Sequence, residues 1–149
     1  MKSEDDPITD DEWLLRRVRV ERVRTDQTPL VSPNAFEPRI KGRDRDTDGI
    51  SLYRAACVGD PSDILATVDP GRRHEYGIVR IPVSLVESLA FSVRSVPVDE
   101  IKGHVTIPQL NADDYEADKS RFTSIKYQLA VEASRAENIL KRPSEAAGP

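Results

Sequence analysis

Three aspartates at alternate positions, Asp44, Asp46 and Asp48, run directly into Gly49. The calcium loop of an EF-hand opens in this way, because alternate carboxylates on a tight turn converge on one hard cation. A loop counted from Asp44 also needs an apolar residue at its eighth position and a bidentate glutamate at its twelfth, and those positions hold Ser51 and Ala55. Proline-broken chain precedes the triad and a β-like segment follows it, where an EF-hand places helices. The triad therefore reads as a solvated turn into a strand, where aspartate and glycine are favoured by local hydrogen bonding and positive φ. No metal is assigned to it.

A histidine acting as acid or base would have to be His74 or His104, the two in the chain. His104 opens the β-like stretch HVTI and is the better candidate, whereas His74 stands in the charged turn GRRHEYG. Cys57, the single cysteine, lies between Ala56 and Val58 and reads as a small buried hydrophobe. Its being alone excludes an intramolecular disulfide and any multi-cysteine metal site. No Gly-x-Ser-x-Gly, phosphate loop, dinucleotide glycine fingerprint or zinc spacing occurs. No catalytic residue and no cofactor is assigned on this pattern; Tyr53, Arg54 and His104 are the candidates if chemistry is present.

The densest run of charge is RRVRVERVR, with Arg16, Arg17, Arg19, Arg22 and Arg24 against Glu21 alone. Guanidinium groups so spaced can grip phosphate or carboxylate. Upstream, MKSEDDPITDDE carries six acids and one lysine, so the basic run could be neutralised by the chain's own acidic arm, by an acidic protein partner or by nucleic acid. The net charge of −4 across 149 residues argues against a general nucleic-acid binder.

The elements that would position these groups are short. ITDDEWLLRRV reads as a helix start, with Thr9 as N-cap and Glu12 completing a capping box. Beyond Val18 the alternation of valine and arginine suits a strand or a continuing helix. The stretch from Thr25 to Gly49 holds Pro29, Pro33 and Pro38 and reads as a long irregular connection, of the kind that carries function. GISLYR and YGIVRIP have strand composition; Asp60 or Ser62 caps a short helix, and another begins near Pro82. SVRSVPV and GHVTIPQL suggest two further strands. Asn111 then precedes a run of acids, and Phe122, Ile125, Leu129, Ala133, Ala136 and Leu140 recur at helical spacing up to Lys141, Arg142 and Pro143. The expected fold class is α+β: a small mixed or antiparallel sheet of four to five short strands, a long C-terminal amphipathic helix and one or two short helices. Residues 1–9 are expected to be a disordered acidic N-terminus, 10–142 a single domain and 143–149 a disordered tail.

Tyr53 and Arg54 in SLYR end a strand in aromatic-Arg, which resembles the first motif of ADP-ribosyltransferase folds; the resemblance implies that Arg54 would hold a dinucleotide. On a larger scale, the order Trp13-Leu14-Leu15-Arg16-Arg17, then SPNAF (Ser32 to Phe36), DGISLYR (Asp48 to Arg54), YGIVRIPVSLV and GHVTIP resembles a group of short bacterial proteins with no assigned activity. It spans about residues 10 to 110 and implies a bacterial setting.

These readings converge on a non-enzymatic cytoplasmic binding or accessory protein. Its recognition surface would be charged, with Arg16, Arg17, Phe36 and Arg54 as binding residues, and would include the long irregular loop. A protein partner is expected, with nucleic acid disfavoured, no membrane and a monomer rather than a dimer. The N-terminus lacks the apolar core of a secretion signal, and the longest apolar stretch, YGIVRIPVSLVESLAFSV, is broken by Arg80, Pro82 and Glu87. The alternative is a small ADP-ribosyltransferase-like or hydrolase-like enzyme using Arg54 and His104. It requires Tyr53, Arg54 and His104 to converge on one pocket.

Overall fold

YGIVRIP forms a strand for the reason its composition suggests: it is rich in β-branched residues, Ile78, Val79 and Ile81, which are buried on both faces of the sheet. In the computed structural model, which describes residues 1–24 and 26–144, this strand is β3 (Tyr76–Pro82). The others are β1 (Trp13–Arg19), β2 (Ile50–Arg54), β4 (Arg94–Ser95), β5 (His104–Ile107) and β6 (Ile139–Lys141). They form one antiparallel sheet in the order β4-β5-β2-β1-β3-β6. Three α-helices join them: α1 (Val83–Ser88), α2 (Ala112–Ala117) and α3 (Thr123–Ala133). The class is α+β, and the sheet has six strands where four to five were expected. Among the described residues, no helix is long and apolar enough to cross a membrane.

Because side chains alternate across a strand, the register assigns each residue to a face. One face carries Leu14, Val18, Leu52, Val79, Ile81, Val105 and Ile107, covered by Phe36, Phe122, Leu129, Ala130 and Ala133. Helix α3 thus spends its apolar side on the protein's own sheet. The opposite face carries Leu15, Tyr53 and Ile78, covered by Ile64, Leu65 and Ile101. Asp60 caps the 3-10 turn Pro61–Leu65 by accepting from Ser62 N–H at 2.9 Å, and Pro82 precedes α1, as their residue types suggest.

Three sequence expectations are corrected. The helix start at Thr9 is a strand start: Thr9 N–H does donate to Glu12 at 2.8 Å, but Trp13–Arg19 pairs with β3 at all seven residues. Trp13, Leu15 and Arg17 face one way and Leu14, Arg16 and Val18 the other; a two-sided sheet accepts that pattern and a helix with one apolar stripe does not. Residues 1–9 are not free. Lys2 N–H donates to Ala56 O at 2.7 Å, Glu4 accepts from Gly103 N–H at 2.8 Å, and the carbonyl of Asp6 is held by Arg54 at 2.9 Å.

The single long C-terminal helix is interrupted at both ends. Asn111 caps α2 through Asp114 N–H at 2.9 Å, but Asp118 leaves helical geometry and takes a local bond from Ser120 Oγ at 2.8 Å, so a 3-10 turn, Lys119–Phe122, restarts the chain into α3. After Ala133 the fully buried Asn138 binds back to Glu132 O at 2.9 Å, and the chain turns into β6 against Ile78 and Val79. Leu140, expected on the apolar stripe, is a strand residue with 39% exposure. Of the expected tail, Ser144 N–H reaches His74 O at 2.6 Å, and 145–149 lie outside the described residues.

Candidate functional site

β1 and β2 begin as neighbours and then part. Their pairing consists of Leu14 with Arg54 and Leu15 with Tyr53, whereas β1 continues to Arg19 and β2 starts back at Ile50. The opening between them widens into a cleft of about 1010 Å³, at the upper end of ligand-pocket volumes. Arg16, Arg17 and Arg19 of β1 form one wall and Ser51 of β2 stands across from them. Glu37 to Lys41, with Asp44 and Asp46, close the far side, so the long proline-bearing connection is a wall of the cleft.

Each of the three arginines lies 5.8 Å from an aromatic ring: Arg16 over Phe36, Arg17 over Tyr53 and Arg19 over Tyr76. The rings hold the side chains in defined directions. Arg16 donates from Nε to Ala35 O at 2.8 Å and from Nη1 to Ser51 O at 2.7 Å; Nη2 has no partner among the described residues. Arg17 donates from Nη1 to Thr67 Oγ1 at 2.9 Å. Both guanidinium groups are anchored by neutral oxygens and neither touches a carboxylate. Burial pulls the Arg16 pKa down to about 10, the charge of Asp46 opposes this, and Arg17 and Arg39 reinforce it.

The acids around the cleft have other partners. Asp44 pairs with Arg39 at 3.0 Å, Asp46 accepts from the Arg39 backbone N–H at 2.7 Å, Glu37 meets Tyr115 Oη at 3.0 Å, and Asp69 accepts from Gly71 N–H at 3.0 Å. Burial also pushes the Asp46 carboxyl above its ordinary range. Glu21 Oε1 is 3.0 Å from Arg19 Nε but out of line with its N–H, which stays buried without a hydrogen-bond acceptor. Arg22 and Lys41 also border the cleft and have no ion-pair partner among the described residues. The result is a basic cleft in a chain of net negative charge.

The acidic arm does not reach this cleft. It is moored at Arg54, on the same sheet face as Arg16 but at the paired end of β1 and β2. Arg54 is fully buried and grips Glu12 with Nε to Oε1 at 2.8 Å and Nη2 to Oε2 at 2.9 Å; its remaining donors go to carbonyls of Glu4, Asp6 and Pro7. Burial opposes ionisation of Glu12, but the Arg54 bonds, the Thr9 N–H and the nearby Lys2 more than reverse this and bring its pKa to about 2. Arg54 is a closed internal ion pair rather than a surface binding residue. Phe36 is likewise completely buried and serves as the platform under Arg16.

Tyr53, Arg54 and His104 do not converge. Tyr53 and Arg54 are consecutive strand residues and point to opposite faces; His104 is the cross-strand partner of Tyr53, their rings 5.3 Å apart edge to face. His104 uses both ring nitrogens, Nδ1 against Val96 O at 2.6 Å and Nε2 against Ser51 Oγ at 3.0 Å, which staples β5 to β2 and to the segment at Val96. Cys57 is buried beside Arg54, and burial raises its thiol pKa. Asp48 leads into Gly49, whose φ of +106° admits no side chain: an added Cβ would lie 2.1 Å from Ile107 O. Among the described residues no cluster of three or more His, Cys, Asp or Glu could hold a metal.

No family model, curated protein or solved structure matches this chain. The functional argument therefore rests on the cleft. Sequence reasoning singled out Arg16 and Arg17 and counted Arg19 in the same basic run, but missed Ser51 and the role of Arg39. The strict alternation Arg17, Arg19 was a signal for one shared face; the opening opposite Ser51 had none.

Proposed function

We propose that this is a non-enzymatic binding protein of the bacterial cytoplasm that takes an acidic segment of a protein partner into the cleft between β1 and the proline-bearing loop. The observation that carries the reading is the pair Arg16 and Arg17: two oriented guanidinium groups, anchored by neutral oxygens and bordering one cleft without a carboxylate of their own. A cation withdrawn from water without a counter-charge is costly, and an incoming carboxylate offsets that cost. The bacterial setting is what the resemblance in the motif order Trp13 to Arg17, Ser32 to Phe36 and Asp48 to Arg54 implies. A protein is preferred to a nucleic acid because the chain as a whole carries −4, which repels a long polyanion. The protein acts as a monomer in this reading, since the apolar side of α3 is spent on its own sheet.

Fluorescence anisotropy with a blocked, labelled heptapeptide of alternating glutamate and valine tests this. Saturable binding is expected, weakened at least about tenfold by Arg17→Glu combined with Arg19→Glu and falling with added salt. Failure of the wild type to bind the peptide, or equal binding by the double variant, overturns the reading. Tighter binding of a single-stranded oligonucleotide than of the peptide overturns the choice of a protein partner.

A further inference from the structure

The β1–β2 pairing stops at Leu15, and the direction of the backbone beyond it is readable. Ile50 N–H donates to Leu110 O at 3.1 Å and Arg54 N–H to Gly103 O at 2.8 Å, both on the β5 side, so the even-numbered residues of β2 turn their backbone groups away from β1. Ser51 and Tyr53 therefore turn theirs towards β1. Since Leu15 is opposite Tyr53, the backbone groups of Leu15, Arg17 and Arg19 point towards β2. Leu15 finds its partner. Arg17 would meet Ser51 if the pairing continued, but it stops at Leu15, and the Ser51 carbonyl is taken by Arg16 Nη1.

The C=O of Arg19 begins the 3-10 turn Val20–Arg22. What remains on the open side of β1 is the N–H and C=O of Arg17 and the N–H of Arg19, without a strand partner among the described residues. This is a short sheet edge inside the molecule rather than at its margin, with the two side chains above it both cationic. Unpaired strand edges are templates for an added strand, and the residues opposite Arg17 and Arg19 on such a strand would place their side chains on the same face as these guanidinium groups.

We infer that the acidic segment binds as an extended strand added to β1, antiparallel to it like every other pair in the sheet. Its own N–H and C=O groups pair with Arg17 and Arg19, and its carboxylates, at every second residue, meet the two guanidinium groups. This rests on the reading of the cleft as an acidic-partner site and adds what a charged patch alone does not specify: an extended conformation, a register and an alternating acidic pattern. A ladder uses main-chain bonds for affinity and alternate side chains for specificity. Arg16, on the other face, holds Ser51 O and keeps β2 from closing on the edge.

The test separates ladder from charge. The same blocked Glu-Val-Glu-Val-Glu-Val-Glu peptide is prepared with N-methyl groups on the glutamate amides or on the valine amides, both versions keeping every carboxylate. In an antiparallel ladder the glutamate opposite Arg17 supplies the main-chain donor to the Arg17 C=O, so glutamate methylation should weaken binding by about tenfold or more and valine methylation much less. Hydrogen exchange followed by NMR should show the Arg17 and Arg19 amides slowed by the unmodified peptide. A loss no greater for the glutamate-methylated than for the valine-methylated peptide, or Arg17 and Arg19 amides that exchange as fast with peptide as without, overturns the strand addition and leaves the charge-based reading in place. Failure of the unmodified peptide to bind at all removes that reading itself.

Discussion

Arg16, half-buried, and Arg54, fully buried, lie on the same face of one sheet, yet they are opposites. Arg54 holds a carboxylate with two bonds and three carbonyls with the rest, and the Glu12 hydrogen bonds raise its pKa. Arg16 holds two carbonyls and no carboxylate, and burial brings its pKa down to about 10. The first arrangement is closed: every donor has an acceptor supplied by the chain, and its consequence is to seal residues 1–9 onto the sheet. The second is open, with a charge and the Nη2 donors left over beside a cleft. A buried arginine does not by itself indicate a site; the inventory of its acceptors distinguishes a structural ion pair from a ligand-seeking cation.

The contrast breaks or sharpens most at Arg54. Arg54→Met leaves Glu12 buried without its partner and releases three arm carbonyls, so a loss of about 3–5 kcal/mol is expected in urea denaturation, with residues 1–9 becoming open to limited proteolysis. A loss under about 1 kcal/mol would show that the pair is not the closed lock described above.

Acid should separate the sites next. Glu12 has a folded pKa of about 2 against an ordinary 4.5, so its contribution is present above about pH 4.5 and is lost as pH falls through 2. The difference corresponds to about 3 kcal/mol. Glu12→Gln should be less stable than wild type at neutral pH and show a correspondingly flatter decline between pH 5 and 2. Parallel curves for the two proteins would sever the link between Glu12 ionisation and stability.

Arg16→Met is expected to change stability by less than about 1.5 kcal/mol, because removing a partly desolvated cation that bonds no carboxylate offsets the two lost carbonyl bonds. Peptide binding should nevertheless weaken, since the split next to Ser51 loses its spacer and its charge. A destabilisation as large as that of Arg54→Met would make Arg16 another structural arginine and dissolve the comparison. The smallest effect belongs to Arg17→Gln, whose side chain meets Thr67 near the surface: stability should stay within about 0.5 kcal/mol of wild type while affinity for the acidic peptide drops.

What the amino-acid order determined by itself is local. Asp60 and Asn111 cap the turns that follow them because their short side chains reach backbone N–H groups two or three residues ahead. Pro82 opens α1, the Ile and Val content of YGIVRIP makes a strand, and Asp48-Gly49 turns into β2; together these made the α+β class legible. The tertiary structure alone decided what depends on distant partners. Trp13 to Arg19 carries both a capping signal and an alternating pattern, and β3, some sixty residues on, selects the strand. The arm follows Arg54, and Ile139 to Lys141 leave the helical stripe to complete the edge of β3. The same holds for function: Arg16 and Arg54 are indistinguishable as letters, and the register that stops at Leu15 and Tyr53 gives one a carboxylate and leaves the other facing an open cleft. Register is a non-local property, set by which faces must be buried, so no spacing within the chain encodes it where it can be read.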